Sequence, residues 1–141
     1  METRTFFDID MANRFAMQYY TLSALEPNDT FLIVGDNGFS DYYRVEIRFI
    51  RTGYISCPTG FTNAFSFRRA TEEEALPIRG LLKTQEVNVF CLERHRAYDI
   101  TRDGTRLEVI PYKCFISAVS VEITLYFGGD MQGFLKQHSI E

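Results

Sequence analysis

The chain has 141 residues, a net charge of −4, 45% hydrophobic residues and 24% charged residues. This length is typical of one domain with a single core, so we expect one globular domain spanning residues 1–141. The acidic balance argues against generic nucleic-acid binding. The absence of a long apolar run argues against a membrane span or a secretion signal, which predicts a cytoplasmic protein with no membrane partner.

The first 25 residues predict a strand followed by a helix. Residues 5–10, "TFFDID", read as a short strand, and apolar residues recur at helical spacing over residues 11–25. Asp10 or Asn13 could cap that helix, because short polar side chains accept hydrogen bonds from the first free N–H groups.

A hairpin is predicted next. Residues 30–34 form an apolar run typical of a buried strand, and "GDNG" at residues 35–38 contains the Asn-Gly signal of a tight turn. Residues 42–50 are the clearest strand, because apolar and charged residues alternate strictly. We expect its core-facing side to carry Tyr43, Val45, Ile47 and Phe49.

The middle of the chain predicts two short strands, at residues 54–57 and 64–69, and a second helix. Thr71 followed by Glu74 forms a capping box for that helix. Pro77 lies inside it and predicts a kink or a restart nearby.

The last third returns to strand patterns and ends in a short helical or frayed tail. The predicted strands are residues 87–92, 97–100, 106–110 and 115–127. The whole chain therefore predicts an α+β fold: a twisted, mostly antiparallel sheet of about seven or eight strands, with two helices packed on one face.

The three cysteines, Cys57, Cys91 and Cys114, are odd in number and lack Cys-x-x-Cys spacing. Neither a disulfide framework nor a zinc site is indicated. We expect three small buried thiols in a reducing compartment.

Two acidic stretches, "FFDID" and "FLIVGDNGFSD", resemble motifs of the haloacid-dehalogenase-type phosphatases. The resemblance implies Asp8 as nucleophile, Asp10 as acid or base, and Asp36 and Asp41 as ligands of Mg²⁺. Structural roles are the alternative, with Asp10 as a helix cap and Asp36 as a turn residue.

The cations are strongly biased, with twelve Arg against three Lys, and residues 44–106 carry a net charge of +3 whereas residues 1–43 carry −5. Arginine and tyrosine are common anchors at interfaces, and arginine also binds carboxylates and phosphates through its planar fork. We therefore predict a partner-binding or ligand-binding surface. Its candidate residues are Arg44, Arg48, Arg94, Arg96, Tyr43 and Tyr98.

No phosphate-binding loop, nucleophile elbow or metal-binding signature occurs, which favours a protein without catalytic activity, cofactor or metal. The preferred interpretation is a small acidic binding protein that inhibits or regulates a macromolecular partner, in the manner of an immunity protein or a phage-type inhibitor. Two alternatives stay open: a module that binds an anionic small molecule or nucleotide through the central arginines, and an Asp-based phosphohydrolase. Self-association is also compatible with an exposed sheet edge.

Overall fold

A computed structural model describes the following parts of the chain: residues 2–15, 19–22, 29–36, 43–57, 60–62, 66–83, 87–94, 97–100, 103–104, 106–109, 112–137 and 139–140. Within these parts the chain forms twelve strands, two α-helices and one 3-10 helix. None of the helices in them has the length and apolar character needed to cross a membrane.

The largest sheet has six strands, all paired antiparallel. Alternation of apolar and polar residues along residues 43–50 and 120–126 gives the sheet one buried face and one mainly polar face, to which Leu32 and Val34 add two apolar positions. In spatial order its strands are β1 (Glu2–Phe6), β12 (Ser120–Phe127), β4 (Tyr43–Ile50), β3 (Phe31–Asp36), β2 (Tyr19–Leu22) and β6 (Gly60–Thr62).

A second antiparallel sheet has four strands, and a separate ribbon has two. In spatial order the four-stranded sheet consists of β5 (Tyr54–Ile55), β11 (Tyr112–Ala118), β8 (Asn88–Arg94) and β7 (Ser66–Arg69). The ribbon pairs β9 (Ala97–Ile100) with β10 (Arg106–Val109).

The core lies between the two larger sheets. Phe49 of β4 and Phe90 of β8 face each other across it with ring centroids 5.5 Å apart. Ile47 and Ile123 from the six-stranded sheet and Ile116 from the four-stranded sheet are fully buried in the same cluster. Burial of such side chains contributes about 1.5 to 3 kcal/mol each, so this interface fixes how the sheets pack.

The outer face of the four-stranded sheet is covered by helix α1 (Glu72–Leu82). The predicted capping box is confirmed, because Thr71 Oγ1 accepts a hydrogen bond from the Glu74 N–H while a Glu74 carboxylate oxygen accepts one from the Thr71 N–H. Ala75 and Ile78 of α1 pack on Val89 of β8 in a second, smaller apolar cluster. Helix α1 runs without a break through Pro77.

The second helix, α2 (Met131–Gln137), packs into the main core and is not a frayed tail. The Phe134 ring lies tilted against the Phe127 ring at 4.5 Å and is parallel to the Phe15 ring at 6.3 Å, and Leu135 is 1% exposed. The helix thereby closes one end of the space between the sheets.

The α+β class and the antiparallel pairing predicted from the sequence are confirmed. In detail the strands are shorter and more numerous than the sequence suggests, and they divide among three sheets. The two helices contact different clusters, α1 the smaller one and α2 the main core.

The predicted helix at residues 11–25 is wrong. A 3-10 helix covers only Ile9–Arg14, Asp8 caps it by accepting a hydrogen bond from the Asp10 N–H, and Tyr19–Leu22 form β2. Strand β2 pairs with both β3 and β6, and the aromatic and β-branched residues in it suit a sheet better than a helix. Residues 16–18 and 23–25, and the predicted turn at 37–38, lie outside the described residues.

The predicted long strand at residues 115–127 is two strands in different sheets. Strand β11 belongs to the four-stranded sheet and β12 to the six-stranded sheet, and Val119 between them is 49% exposed. The chain therefore crosses from one side of the core to the other at Val119, which explains why this apolar residue does not share the buried face of β12.

Two of the cysteines are not free thiols, which corrects the prediction of three unpaired cysteines. Cys57 and Cys114 form a disulfide that links the segment after β5 to β11, while Cys91 stays a buried thiol. The sequence separation of 57 residues gave no local spacing signal that could reveal this pair.

Candidate functional site

The polar face of the six-stranded sheet is built by alternation along β4. Val45, Ile47 and Phe49 point into the core, so Arg44, Glu46 and Arg48 point away from it. On the neighbouring strand β12, Tyr126 lies directly opposite Arg44. Below, the Glu46 cluster means these four polar-face residues: Arg44, Glu46, Arg48 and Tyr126.

The Glu46 carboxylate is the centre of this cluster. Its Oε1 accepts from Arg44 Nη2 at 2.9 Å, and its Oε2 accepts from Arg48 Nη1 at 2.7 Å and from the Tyr126 hydroxyl at 3.1 Å. Only 9% of the Glu46 side chain is exposed, because its three partners surround it. Charge-assisted hydrogen bonds of this kind offset the cost of removing a carboxylate from water.

The same contacts hold Arg44 in place without burying it. Its guanidinium carbon lies 4.9 Å from the centre of the Tyr126 ring, and 52% of its side chain is exposed. Arg48 is 25% exposed. The cluster therefore presents a positioned arginine beside a tyrosine on an otherwise regular sheet surface.

Of the six residues predicted as a binding surface, Arg44 and Arg48 are the two whose side chains the structure describes, and it brings these two together. The backbone of Tyr43 is the adjacent position of β4, that of Arg94 ends β8 in the other sheet, and that of Tyr98 lies in the two-stranded ribbon. Their side chains, and the whole of Arg96, lie outside the described residues.

Sequence reasoning missed two members of the Glu46 cluster. Glu46 could have been found, because it lies between the two arginines on the same side of one strand. Tyr126 could not, since it is 80 residues away in sequence and reaches Glu46 only through the pairing of β4 with β12.

The aspartates of the phosphatase-like motifs are separated. Asp8 follows β1 and Asp36 ends β3, and two strands lie between β1 and β3 in the sheet. At the usual strand spacing that alone separates their backbones by about 14 Å. Asp8 instead caps the 3-10 helix, and Asp41 lies outside the described residues, so the structure lends an Asp-based phosphohydrolase no support.

A second charged cluster lies beneath α1, on the outer face of the four-stranded sheet. Arg68 of β7 donates to both oxygens of Glu74 in α1, at 2.7 and 2.9 Å, and its Nε donates to Glu93 of β8 at 3.1 Å. Lys113 of β11 lies 3.6 to 3.7 Å from both carboxylates. Below, the Arg68 cluster means Arg68, Glu74, Glu93 and Lys113.

These contacts shift the protonation equilibria in this region. The hydrogen bonds from Arg68 lower the pKa of Glu74 to about 2, and those to Glu74 and Glu93 raise the pKa of Arg68 above its usual value. Burial raises the pKa of the neighbouring Cys91 thiol to about 11. At neutral pH Glu74 is therefore a carboxylate, Arg68 a guanidinium and Cys91 a protonated thiol.

The same region contains the best candidate for a metal site among the described residues. Ligand atoms of Glu74, Cys91 and Glu93 lie within 4.8 Å of one another. Arg68 already occupies the carboxylates, and the raised pKa of Cys91 disfavours the thiolate that a metal requires. The arrangement fits a link between α1 and the sheet better than a metal centre.

Of the two charged clusters, the Glu46 cluster is the candidate site, because no described helix covers it and Arg44 is half exposed. Scans of the chain against protein-family models, curated proteins and solved structures find no match. The function is therefore inferred from the geometry of these side chains.

Proposed function

We propose that this chain is a small acidic binding protein that inhibits or regulates a protein partner, and that it docks through the polar face of the six-stranded sheet. The observation that carries the proposal is the state of Arg44, which is 52% exposed yet held by Glu46 and by the Tyr126 ring. Arginine and tyrosine are among the commonest energetic anchors of protein interfaces.

A positioned side chain is favourable for binding. A free arginine loses rotamer freedom when a partner immobilises it, at a cost of about 0.5 to 1.5 kcal/mol. The Glu46 carboxylate and the Tyr126 ring have already restricted Arg44, so a partner carboxylate or carbonyl could bind the remaining guanidinium N–H groups at a lower entropic cost.

The shape and charge of the face favour a protein over a small anion. Two arginines share one glutamate, which reduces their net positive charge to one unit, and they lie on a regular strand rather than in a cavity. Small-molecule sites are usually concave. A cavity of about 160 Å³, lined by Phe6, Met11 and Ile140 together with Arg14 and Ser139, lies away from the Glu46 cluster.

The net charge of −4 on the whole chain would accelerate encounter with a basic protein, such as a nuclease, and this effect weakens in salt, whereas Arg44 itself requires a carboxylate or carbonyl on the surface that it contacts. A cytoplasmic location stays a prediction. The Cys57–Cys114 disulfide weighs against it, since disulfides are rare in reducing compartments, so partners in oxidising compartments belong in the search.

The test is affinity capture from the native host or its target cell with four immobilised proteins: wild type, Arg44→Glu, Tyr126→Ala and the control Lys136→Glu. Lys136 is exposed on α2, which packs on the core side of the sheet whereas Arg44 points away from the core, and its change matches the charge reversal of Arg44→Glu. We expect one protein to be retained by wild type and control, and its affinity to fall by about tenfold or more in the other two variants.

The captured protein, once purified, must also lose activity or change its activity when the chain is added. Equal retention by wild type and Arg44→Glu would contradict docking through this face.

Native mass spectrometry of the freshly purified chain tests the alternative of anion binding. That alternative requires a discrete added mass with raised 260 nm absorbance, and both should disappear in Arg44→Ala and Arg48→Ala.

A further inference from the structure

The edges of the sheets differ in how they are protected. An edge strand exposes backbone N–H and C=O groups that can pair with another chain, and natural proteins usually shorten or cover such strands. In the described part of the chain, β1 is the longest edge strand with five residues, and the other edge strands have two to four.

Two edges of the four-stranded sheet show such protection. At β7, the Asn13 side chain donates to the Phe67 carbonyl and accepts from the Phe67 N–H, both at 2.7 Å, so it takes the place of a pairing strand. At the opposite edge, β5 has two residues and is followed by the disulfide between Cys57 and Cys114.

Among the described residues, β1 is neither capped by a side chain nor tied by a disulfide. It carries two charged residues, Glu2 and Arg4, which disfavour pairing in registers where like charges meet. It pairs with β12 over all five positions without a bulge, contains no proline, and no described strand pairs with its other side. Its outer edge is therefore a regular template for one more strand.

We propose that two copies of the chain associate through β1, in an antiparallel pair related by a two-fold axis that passes between the two Thr3 residues. The pairing joins two six-stranded sheets into one of twelve strands. This inference goes beyond the proposed function and does not depend on it.

The charges of β1 select this register. In a symmetric antiparallel pair one residue lies opposite its own copy, because hydrogen-bonding positions must face each other. An axis at Glu2 or at Arg4 places like charges directly opposite, and an axis at Thr5 places Arg4 opposite Phe6 without a pair of opposite charges. With Thr3 at the axis, Glu2 of each copy lies opposite Arg4 of the other.

These opposed side chains lie on the same face of the sheet, because Glu2 and Arg4 are two residues apart. The Arg4 guanidinium lies 5.3 Å from the centre of the Phe6 ring, which holds it on that face, and Glu2 is exposed. Each dimer would thus contain two cross-strand Glu–Arg pairs and a central Thr–Thr pair, both favourable combinations in sheets.

The experiment is native mass spectrometry and sedimentation of the full chain over a wide concentration series. The proteins are wild type, Glu2→Arg, Arg4→Glu, an equimolar mixture of these two variants, and the control Glu73→Arg. Glu73 is exposed on α1, so its reversal changes the net charge as Glu2→Arg does without touching β1. Circular dichroism checks that every variant is folded.

We expect wild type and Glu73→Arg to dimerise with the same affinity. Each β1 variant alone should dimerise about tenfold more weakly, because two like-charge pairs then face each other. The mixture should restore a heterodimer at the wild-type level, recognised by its intermediate mass, since it recreates two pairs of opposite charge.

Three results would overturn the proposal: a wild type that stays monomeric throughout the series, a dimer whose affinity neither variant changes, or a mixture without the heterodimer. Because Glu2 is exposed, Glu2→Arg should fold even if Arg4→Glu does not. In that case, weaker dimerisation of Glu2→Arg with unchanged dimerisation of Glu73→Arg supports the proposal, and equal dimerisation of the two overturns it.

Discussion

The Arg68 cluster and the Glu46 cluster both pair arginine with glutamate on the outer faces of two sheets, and they differ in what lies above them. Helix α1 covers the Arg68 cluster and contributes Glu74 to it, so the ion pairs join a helix to a sheet. The Glu46 cluster joins two strands of one sheet and leaves Arg44 half exposed. Similar ion pairs thus attach helix α1 to one sheet and, in our proposal, hold an arginine in place for partner binding on the other.

The edges repeat this contrast. The four-stranded sheet is closed at one edge by Asn13 and tied near the other by a disulfide, whereas β1 leaves the six-stranded sheet open at one side. If the two sheets differ in this way, substitutions in the four-stranded sheet should lower the free energy of unfolding. Substitutions on the six-stranded sheet should mainly lower the affinity for a partner.

The largest effect on stability is expected from removing the disulfide with Cys57→Ser and Cys114→Ala together. The bond closes a loop of 57 residues, and the chain-entropy relation gives a loss of about 4 kcal/mol in the free energy of unfolding. Strand β5 pairs with β11 through two residues, and the N–H groups of Gly53 and Ser56 extend the pairing by donating to the Ser117 and Phe115 carbonyls, so the edge is short but not held by the disulfide alone. Urea unfolding of the oxidised proteins measures the loss.

The control for that experiment is Cys91→Ala, which also removes a buried sulfur atom but breaks no bond, and it should cost about 1 kcal/mol. Thiol titration gives a second check: unfolded wild type without reductant should expose one thiol, and native wild type should react slowly, since Cys91 is buried and burial raises its pKa to about 11. Three reactive thiols, or equal losses in the two variants, would contradict the disulfide.

A smaller loss is expected from Arg68→Met. The change leaves Glu74 and Glu93 facing each other beneath α1, with Lys113 as the nearby cation among the described side chains, and should cost about 3 kcal/mol. The matched variant Arg44→Met removes an equally long cation from an exposed position and should cost about 0.5 kcal/mol. Denaturant unfolding at neutral pH compares them, and similar losses would remove the distinction between the two faces.

Local patterns in the sequence predicted the parts of this architecture that depend on neighbouring residues. Alternation along residues 43–50 predicted β4 and its buried side, and Thr71 with Glu74 predicted the start of α1. Both signals rest on contacts within one strand or one helical turn.

The remainder depends on contacts between distant segments. Tyr19–Leu22 fit a helical pattern until pairing with β3 and β6 is known, and Asn13 resembles a helix cap although it pairs with Phe67. The candidate site shows the same limit, since Arg44 and Arg48 were found in one strand, whereas Tyr126 required the pairing of β4 with β12. Long-range pairing decides these positions, and a single sequence carries little information on it.

The smallest of the three main stability effects depends on pH and comes from Glu74. Hydrogen bonds from Arg68 lower its pKa from 4.5 to about 2, so the folded state favours the charged carboxylate more than the unfolded state does. The resulting stabilisation is fully present above pH 4.5 and is lost as the pH falls towards 2. Its size is about 2 kcal/mol, less than the full shift implies because the side chain is partly solvated.

Glu74→Gln removes the charge while its amide oxygen can still accept from the Thr71 N–H. Its NH2 group replaces the oxygen that accepts from Arg68 Nη2, so the variant also loses that hydrogen bond. Unfolding free energies measured between neutral pH and pH 2 should show the variant less stable than wild type at neutral pH, with the difference shrinking towards acid. Glu72→Gln is the control, because that carboxylate belongs to the same helical turn but its side chain is 81% exposed. A difference between Glu74→Gln and wild type that stays constant down to pH 2 would mean that the Arg68–Glu74 pair attaches α1 through shape and hydrogen bonding rather than charge.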